Sequence, residues 1–202
     1  MLSRRRMVRH YVDEPVPEDV LERILGSVRR APSAGFSQGQ RLVVVTDADR
    51  RRAIARLLEE EAQVAEGYEP WLSSAPVHIV VCTREADYHE RYTKEDKLVE
   101  GDEIQWPVPY WFVDAGAAMM ALLMAAIDEG LASGFLGVPA EKQAEFRRLL
   151  GIPDDVAVVG IATLGRPAAD PRWSASTSRT TQPRRSLDEV VHRERWGGAR
   201  TG

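Results

Sequence analysis

A layered sandwich of sheet and helices, α/β or α+β rather than a helical bundle, is the fold class this 202-residue chain predicts. Short apolar, β-branched runs (residues 42–45, 77–82 and 156–164) alternate with stretches of helical periodicity. Charged residues at 29% and hydrophobic ones at 44% describe an ordinary soluble chain, long enough to bury a sizeable core. No internal repeat divides it, so one domain over residues 1–202 is expected.

The first helix is predicted over Pro17 to Arg30, with Val20, Leu21, Ile24, Leu25 and Val28 on one face. Glu18 and Asp19 open it and Arg29 and Arg30 close it, both favourable to the helix dipole. Pro32 stops it, since proline lacks the amide hydrogen and clashes with the preceding turn. The run 42–45 reads as a strand covered on both faces. Asp47 caps a helix expected to reach about Glu66, with Ile54, Leu57, Leu58 and Val64 inward. Pro76 opens a second buried strand, Val77 to Cys82.

From Thr83 to Tyr110 the pattern dissolves into charge and aromatics, as in a lid or pocket wall. Phe112 to Glu129 is the most apolar helix, and Gly116, Ala117, Ala121 and Ala125 offer a small-residue face for a second helix. Gly130 suits its left-handed cap. A strand-like stretch (131–138), a helix (139–150) and a last buried strand (156–164) follow. Beyond Gly165, prolines and a Ser/Thr-rich span around 174–181 form no core, which predicts an arm lying on a partner subunit.

Composition excludes several functions. A net charge of −4 gives no reason to expect a nucleic-acid or membrane partner. The uncharged run 115–127 is too short to span a bilayer, and the arginine-rich start does not resemble a signal peptide. The one cysteine, Cys82, fits a reducing cytoplasm and lies in an apolar strand. The four histidines show no metal-ligand spacing, so no metal is expected. No G-x-G-x-x-G follows a strand, and no phosphate-loop lysine is present.

Two features point to a ligand. The loop 31–38 carries small and hydroxyl residues, with main-chain donors able to wrap a flat polar molecule. Arg5, Arg6 and Arg9 near one terminus and Arg184 and Arg185 near the other can fork onto a phosphate or a developing anion.

These features recur in five stretches: Arg4 to Tyr11, the loop 31–38, Asp114-Ala115-Gly116-Ala117, Gly130 to Gly137, and Arg184 to His192. In this order, over roughly residues 3–196, they resemble the FMN-dependent nitroreductase family. The resemblance implies an α+β three-layer sandwich with a mostly antiparallel sheet, paired as an intertwined homodimer. The arm, residues 165–202, would cross to the partner. It further implies FMN at the interface, with hydride taken from NADH or NADPH at flavin N5 and passed to a nitroaromatic, quinone, enone or related small molecule. No side chain is then required as a catalyst.

By the same resemblance Arg5 and Arg6 lie near the ribityl phosphate, Arg9 at the pyrimidine edge, and Arg184 and Arg185 on the phosphate. Met7, Pro32, Ser33, Ala34, Phe36 and Gln38 match cofactor-contacting positions, Ser33 and Gln38 reaching a flavin held mainly by the other subunit. Phe135, Leu136 and Gly137 match the segment over the ring. Trp106, Tyr110 and Trp111, with Phe36, are candidates for the substrate-pocket wall. Phe36 stands where most relatives have asparagine, Gly39-Gln40 where they have proline-tryptophan, and Met7 where they have a small hydroxyl residue. Two alternatives are a flavin-sequestering protein without turnover and a relative of the synthase that fragments FMN to 5,6-dimethylbenzimidazole. That branch shares the phenylalanine but has aspartate at Met7 and serine at Gly137.

Overall fold

Four strands build the sheet in a computed structural model that describes residues 2–169 and 182–198. They are β1 (Gln40–Val45), β2 (Val77–Thr83), β3 (Ala132–Leu136) and β4 (Ala157–Gly165), in the order β1-β2-β4-β3. Every neighbouring pair is antiparallel, which decides for α+β. The helices are α1 (Glu18–Val28), α2 (Ala48–Leu57), α3 (Glu60–Ala65), α4 (Ala86–Tyr92), α5 (Tyr110–Asp128), α6 (Gln143–Leu150) and the short α7 (Leu187–Val190).

β2 is buried at every residue, and its alternation sorts the helices into layers. Val77, Ile79 and Val81 meet Leu21 and Ile24 of α1 and Ala115, Met119 and Leu122 of α5. Val80 and Cys82 meet Ile54 of α2 and Phe146 of α6 on the other face. Arg23 ties α1 to the end of α5, with 2.8 Å contacts to Asp19 and Glu129. Gly130 closes α5 at φ 74°, a left-handed turn that glycine adopts without Cβ strain.

Several expectations need correction. β1 is an edge strand, with no further strand paired to it among the described residues, and its Val44 is 37% exposed. The helix expected from Asp47 to Glu66 breaks at Glu59, which takes a left-handed φ of 60°. The break turns the Glu60 carboxylate inward to accept the backbone amides of Trp71, Leu72 and Ser73, while Val64 ends up 41% exposed. Asp47 does cap α2, accepting from the Arg50 amide at 2.8 Å. At 19 residues, α5 is long and apolar enough, by length and composition alone, to cross a membrane. Its buried stripe packs against the sheet and α1 instead, as in a core helix. Gly116 and Ala117 lie off that stripe: nothing comes within 4 Å of where a Gly116 Cβ would stand. The arm leaves the body later than residue 165. Tyr11 bridges to Pro167, and the Ala168 amide donates to the His10 carbonyl at 3.1 Å. The Ser/Thr-rich span of the predicted arm lies outside the described residues.

One buried group makes stability depend on pH. His78 is fully buried on β2, its Nε2 2.8 Å from the Leu72 carbonyl, and burial pushes its pKa down to about 4. The unfolded chain therefore binds a proton that the folded chain refuses between pH 6.5 and 4, so stability falls as pH drops through that window. His78→Gln keeps an N–H donor without titrating. Between pH 7.5 and 4.5 the parent should lose about 2–3 kcal/mol more unfolding free energy than this variant. Denaturant titrations at the two pH values measure it, and parallel losses would exclude the assignment.

Candidate functional site

The N-terminal segment is placed along β3. Met7 pairs with Ser133 in parallel, and the Val8 amide donates to the Ser133 carbonyl at 3.0 Å. This close approach needs Gly134, where a Cβ would stand 2.4 Å from the Val8 carbonyl oxygen. The guanidinium of Arg9 lies 4.9 Å above the centre of the Trp71 ring. Arg23, Arg41, Arg52, Arg84, Arg91 and Arg166 all pair with carboxylates. Arg5, Arg6 and Arg9 form no such pair among the described residues. Arg6 bonds only to main-chain carbonyls, those of Ser3 and Arg5. Phe135, Leu136 and Gly137 end β3 beside this segment, and the space a Gly137 Cβ would enter is open.

The loop 31–38 is built by strain held in place. Gly35, Phe36 and Gln38 all have positive φ, at 58°, 60° and 53°. For the two non-glycine residues that conformation is unfavourable, and it persists where surroundings over-determine it. The buried Asp114 carboxylate accepts from the Ala34 amide and from the Tyr88 hydroxyl, each at 2.8 Å. Burial first, then the Asp114 carboxylate, push the Tyr88 phenol above its ordinary range. Arg91 Nε donates to the Gly35 carbonyl at 2.9 Å. Ser33 Oγ accepts from the Gln38 amide at 3.0 Å, and Ser37 Oγ donates to the Ala34 carbonyl at 2.6 Å.

These bonds correct the view that the loop offers its amides and both hydroxyls to a ligand, because the Ala34 amide and the Ser37 hydroxyl are engaged inside the protein. What the loop presents is Phe36, 71% exposed. A ring packed under the loop is thereby excluded for this chain. A surface cavity of about 740 Å³ opens beside the loop, with Ser37, Gln38, Arg41 and Lys94 in its wall.

Residues 83–110 contain α4 as well as loop, and they gather the aromatics. Trp106 lies 4.5 Å from Tyr92, 6.0 Å from Tyr110 and 6.0 Å from Trp111, measured between ring centres. Glu103 fixes the cluster, meeting Trp106 Nε1 and His89 Nδ1 at 2.6 Å each. The Glu103 carboxylate raises the pKa of His89, and hydrogen bonding to Trp106 and then His89 lowers that of Glu103. Gly35 rests on Tyr92, so the loop and the predicted pocket wall share one neighbourhood.

The remaining predicted residues do not join them. The loop leads into β1 and the Arg5–Arg9 segment flanks β3, the two opposite edges of the sheet. Three strand spacings separate those edges, about 14 Å. Arg184 and Arg185 stand exposed before α7, with no ion pair among the described residues to either group. Sequence reasoning missed Trp71, Thr163, Glu60 and the anchoring role of Asp114. Only Asp114 carried a signal, as the lone acid within the apolar stretch 112–127.

The Nitroreductase family model matches residues 2–166. A provisional NADH dehydrogenase/NAD(P)H nitroreductase of Archaeoglobus fulgidus is 30% identical over 198 residues, 97% of each chain. An FMN reductase [NAD(P)H] of Bacillus subtilis is 30% identical over 174 residues, covering 83% of this chain and 64% of that protein. In fold, the chain is similar to an FMN-dependent nitroreductase from Clostridium difficile R20291, with a TM-score of 0.69, 20% identity, and 96% and 97% of the two chains covered. With a match that spans most of its length and a relative of equal extent, the chain belongs to the nitroreductase family.

Proposed function

We propose that this protein is an FMN-dependent oxidoreductase that takes hydride from NADH or NADPH and reduces a small nitroaromatic, quinone, enone or related acceptor. The observation that carries the reading is the arginine-rich segment lying along β3. In a chain of net charge −4, Arg5, Arg6 and Arg9 share one segment along β3 and have no carboxylate partner among the described residues. Unpaired guanidinium groups of this kind suit a phosphate and an electron-rich ring edge. Arg5 and Arg6 would hold the phosphate end together with Arg184 and Arg185, and Arg9 would face the pyrimidine edge. Phe135, Leu136 and Gly137 would lie over the ring. Bound FMN supplies the redox chemistry; the protein binds, orients and excludes water. Purified protein should be yellow and release FMN, not FAD, on heating, with anaerobic NADH or NADPH bleaching the bound chromophore. Chromatography and absorbance test this. Flavin bound but not bleached would favour sequestration, and protein that cannot be reconstituted with FMN would end the flavin reading.

The split of the site between two sheet edges supports a homodimer in which each loop 31–38 completes its partner's site. Two apolar surfaces left exposed among the described residues support it further. Phe112, Val113 and Met120 on α5 are 45%, 55% and 38% exposed, and Leu187, Val190 and Trp196 are 57%, 62% and 89% exposed. Exposed apolar side chains grouped in this way favour an interface. Removing residues 170–202 should therefore give monomer or aggregate with no flavin, read by light scattering and absorbance. A truncated yellow dimer would show the arm to be dispensable.

Phe36 sets the acceptor range in this reading, since its exposed ring would enter the partner's pocket beside Trp106, Tyr110 and Trp111. Its bulk and lack of a hydrogen bond should make small nitroaromatics poor substrates. Phe36→Asn should raise kcat/KM for them about tenfold, worth about 1.4 kcal/mol in the transition state, with FMN affinity little changed. A variant that gains no turnover and loses flavin would retire this role.

A further inference from the structure

Arg9 is approached from two sides, by Trp71 and Thr163, which lie in no sequence motif, and by its own neighbours Val8 and Tyr11. On the side-chain side its guanidinium lies over the Trp71 ring, and Trp71 is itself fixed at both ends. The Trp71 amide donates to the buried Glu60 carboxylate at 2.6 Å, and the indole Nε1 donates to Thr163 Oγ1 at 2.9 Å. On the main-chain side a hydrogen-bond relay ends one residue before Arg9. Tyr11 Oη lies 2.8 Å from Thr163 Oγ1 and 2.8 Å from the Val8 carbonyl.

The donors in this relay can be assigned. An indole N–H only donates and a carbonyl only accepts. Thr163 Oγ1 therefore accepts from Trp71 and passes its own proton toward Tyr11, whose hydroxyl donates to Val8. Thr163 is fully buried and Tyr11 is 4% exposed, so water does not compete for these bonds. Burial also raises the Tyr11 phenol, which keeps it a donor.

We propose that Trp71 is a positioning residue for Arg9, and that the Trp71–Thr163–Tyr11 relay orients that guanidinium toward the electron-rich edge of the bound flavin. The inference rests on the flavin reading above and goes beyond it by naming Trp71, which touches Arg9, and the hydroxyls that fix Trp71 and the Val8 carbonyl. An arginine fixed before the ligand arrives loses less side-chain entropy on binding. It also stabilises the reduced, more electron-rich ring more than the oxidised one. An equally basic but mobile arginine would do both less well.

The test is a double-mutant cycle on the full-length protein, reading FMN dissociation constant and flavin midpoint potential rather than turnover. Trp71→Leu should weaken binding of reduced FMN about tenfold more than oxidised FMN, lowering the two-electron midpoint by about 30 mV. In the Arg9→Gln background the same change should have almost no further effect. Trp71→Phe, which keeps the ring face and loses only the indole donor, and Tyr11→Phe, which loses the relay, should give smaller shifts of the same sign. They carry the test if Trp71→Leu does not fold. Equal shifts with and without the Arg9→Gln substitution would make Trp71 an ordinary packing residue and overturn the proposal while leaving the flavin reading intact. A parent protein that binds no FMN would overturn both.

Discussion

The complete burial of β2 is the constraint from which the rest of this molecule follows. A strand whose residues are all removed from water must find ladder partners on both edges and apolar cover on both faces. β1 and β4 satisfy the edges, and the helical pairs α1/α5 and α2/α6 satisfy the faces. With β2 and β4 in the middle, β1 and β3 become the edges of the sheet. The segments that precede or flank those edge strands lie at the margins of the sheet, where side chains can face outward.

That placement explains the division of the candidate site. The loop before β1 and the arginine segment beside β3 cannot approach each other across a four-stranded sheet. Each half is nevertheless rigidly built. The loop is held by the Asp114 carboxylate and by Arg91, which together enforce positive φ at residues with side chains. The arginine segment is held by strand-like pairing to Ser133 and by the buried hydroxyls of Thr163 and Tyr11. The arginine half also packs on a small apolar cluster of Tyr11, Ala75 and Ala132 with Val8 and Trp71, and buried polar groups with satisfied partners add order to both halves.

Ion pairs occupy several of the arginines among the described residues. Arg23, Arg84 and Arg91 bridge elements that would otherwise part, and each meets at least one carboxylate at 2.8 Å or closer. Such pairs are exposed and contribute little stability individually. Their main effect is to occupy those guanidinium groups. Arg5 and Arg9 have no carboxylate partner among the described residues, as is also true of Arg50 and Arg148.

By itself the sequence determined the elements, because periodicity, capping and strand-breaking residues act over a few neighbours. The helix of α1, the Asp47 cap, the buried strand after Pro76 and the Gly130 turn are all local consequences of side-chain chemistry. It also determined the family, since the ordered motifs survive without any knowledge of their placement. Only the tertiary structure decided which strands became edges, why the helix after Asp47 breaks to bury Glu60, and that Phe36 points outward rather than beneath its loop. It alone joined Arg9 to Trp71, Thr163 and Tyr11, the last two of which stand 152 positions apart in the chain. The reason is physical: such contacts depend on strand register and on the desolvation of polar groups, and neither exists until distant segments have packed.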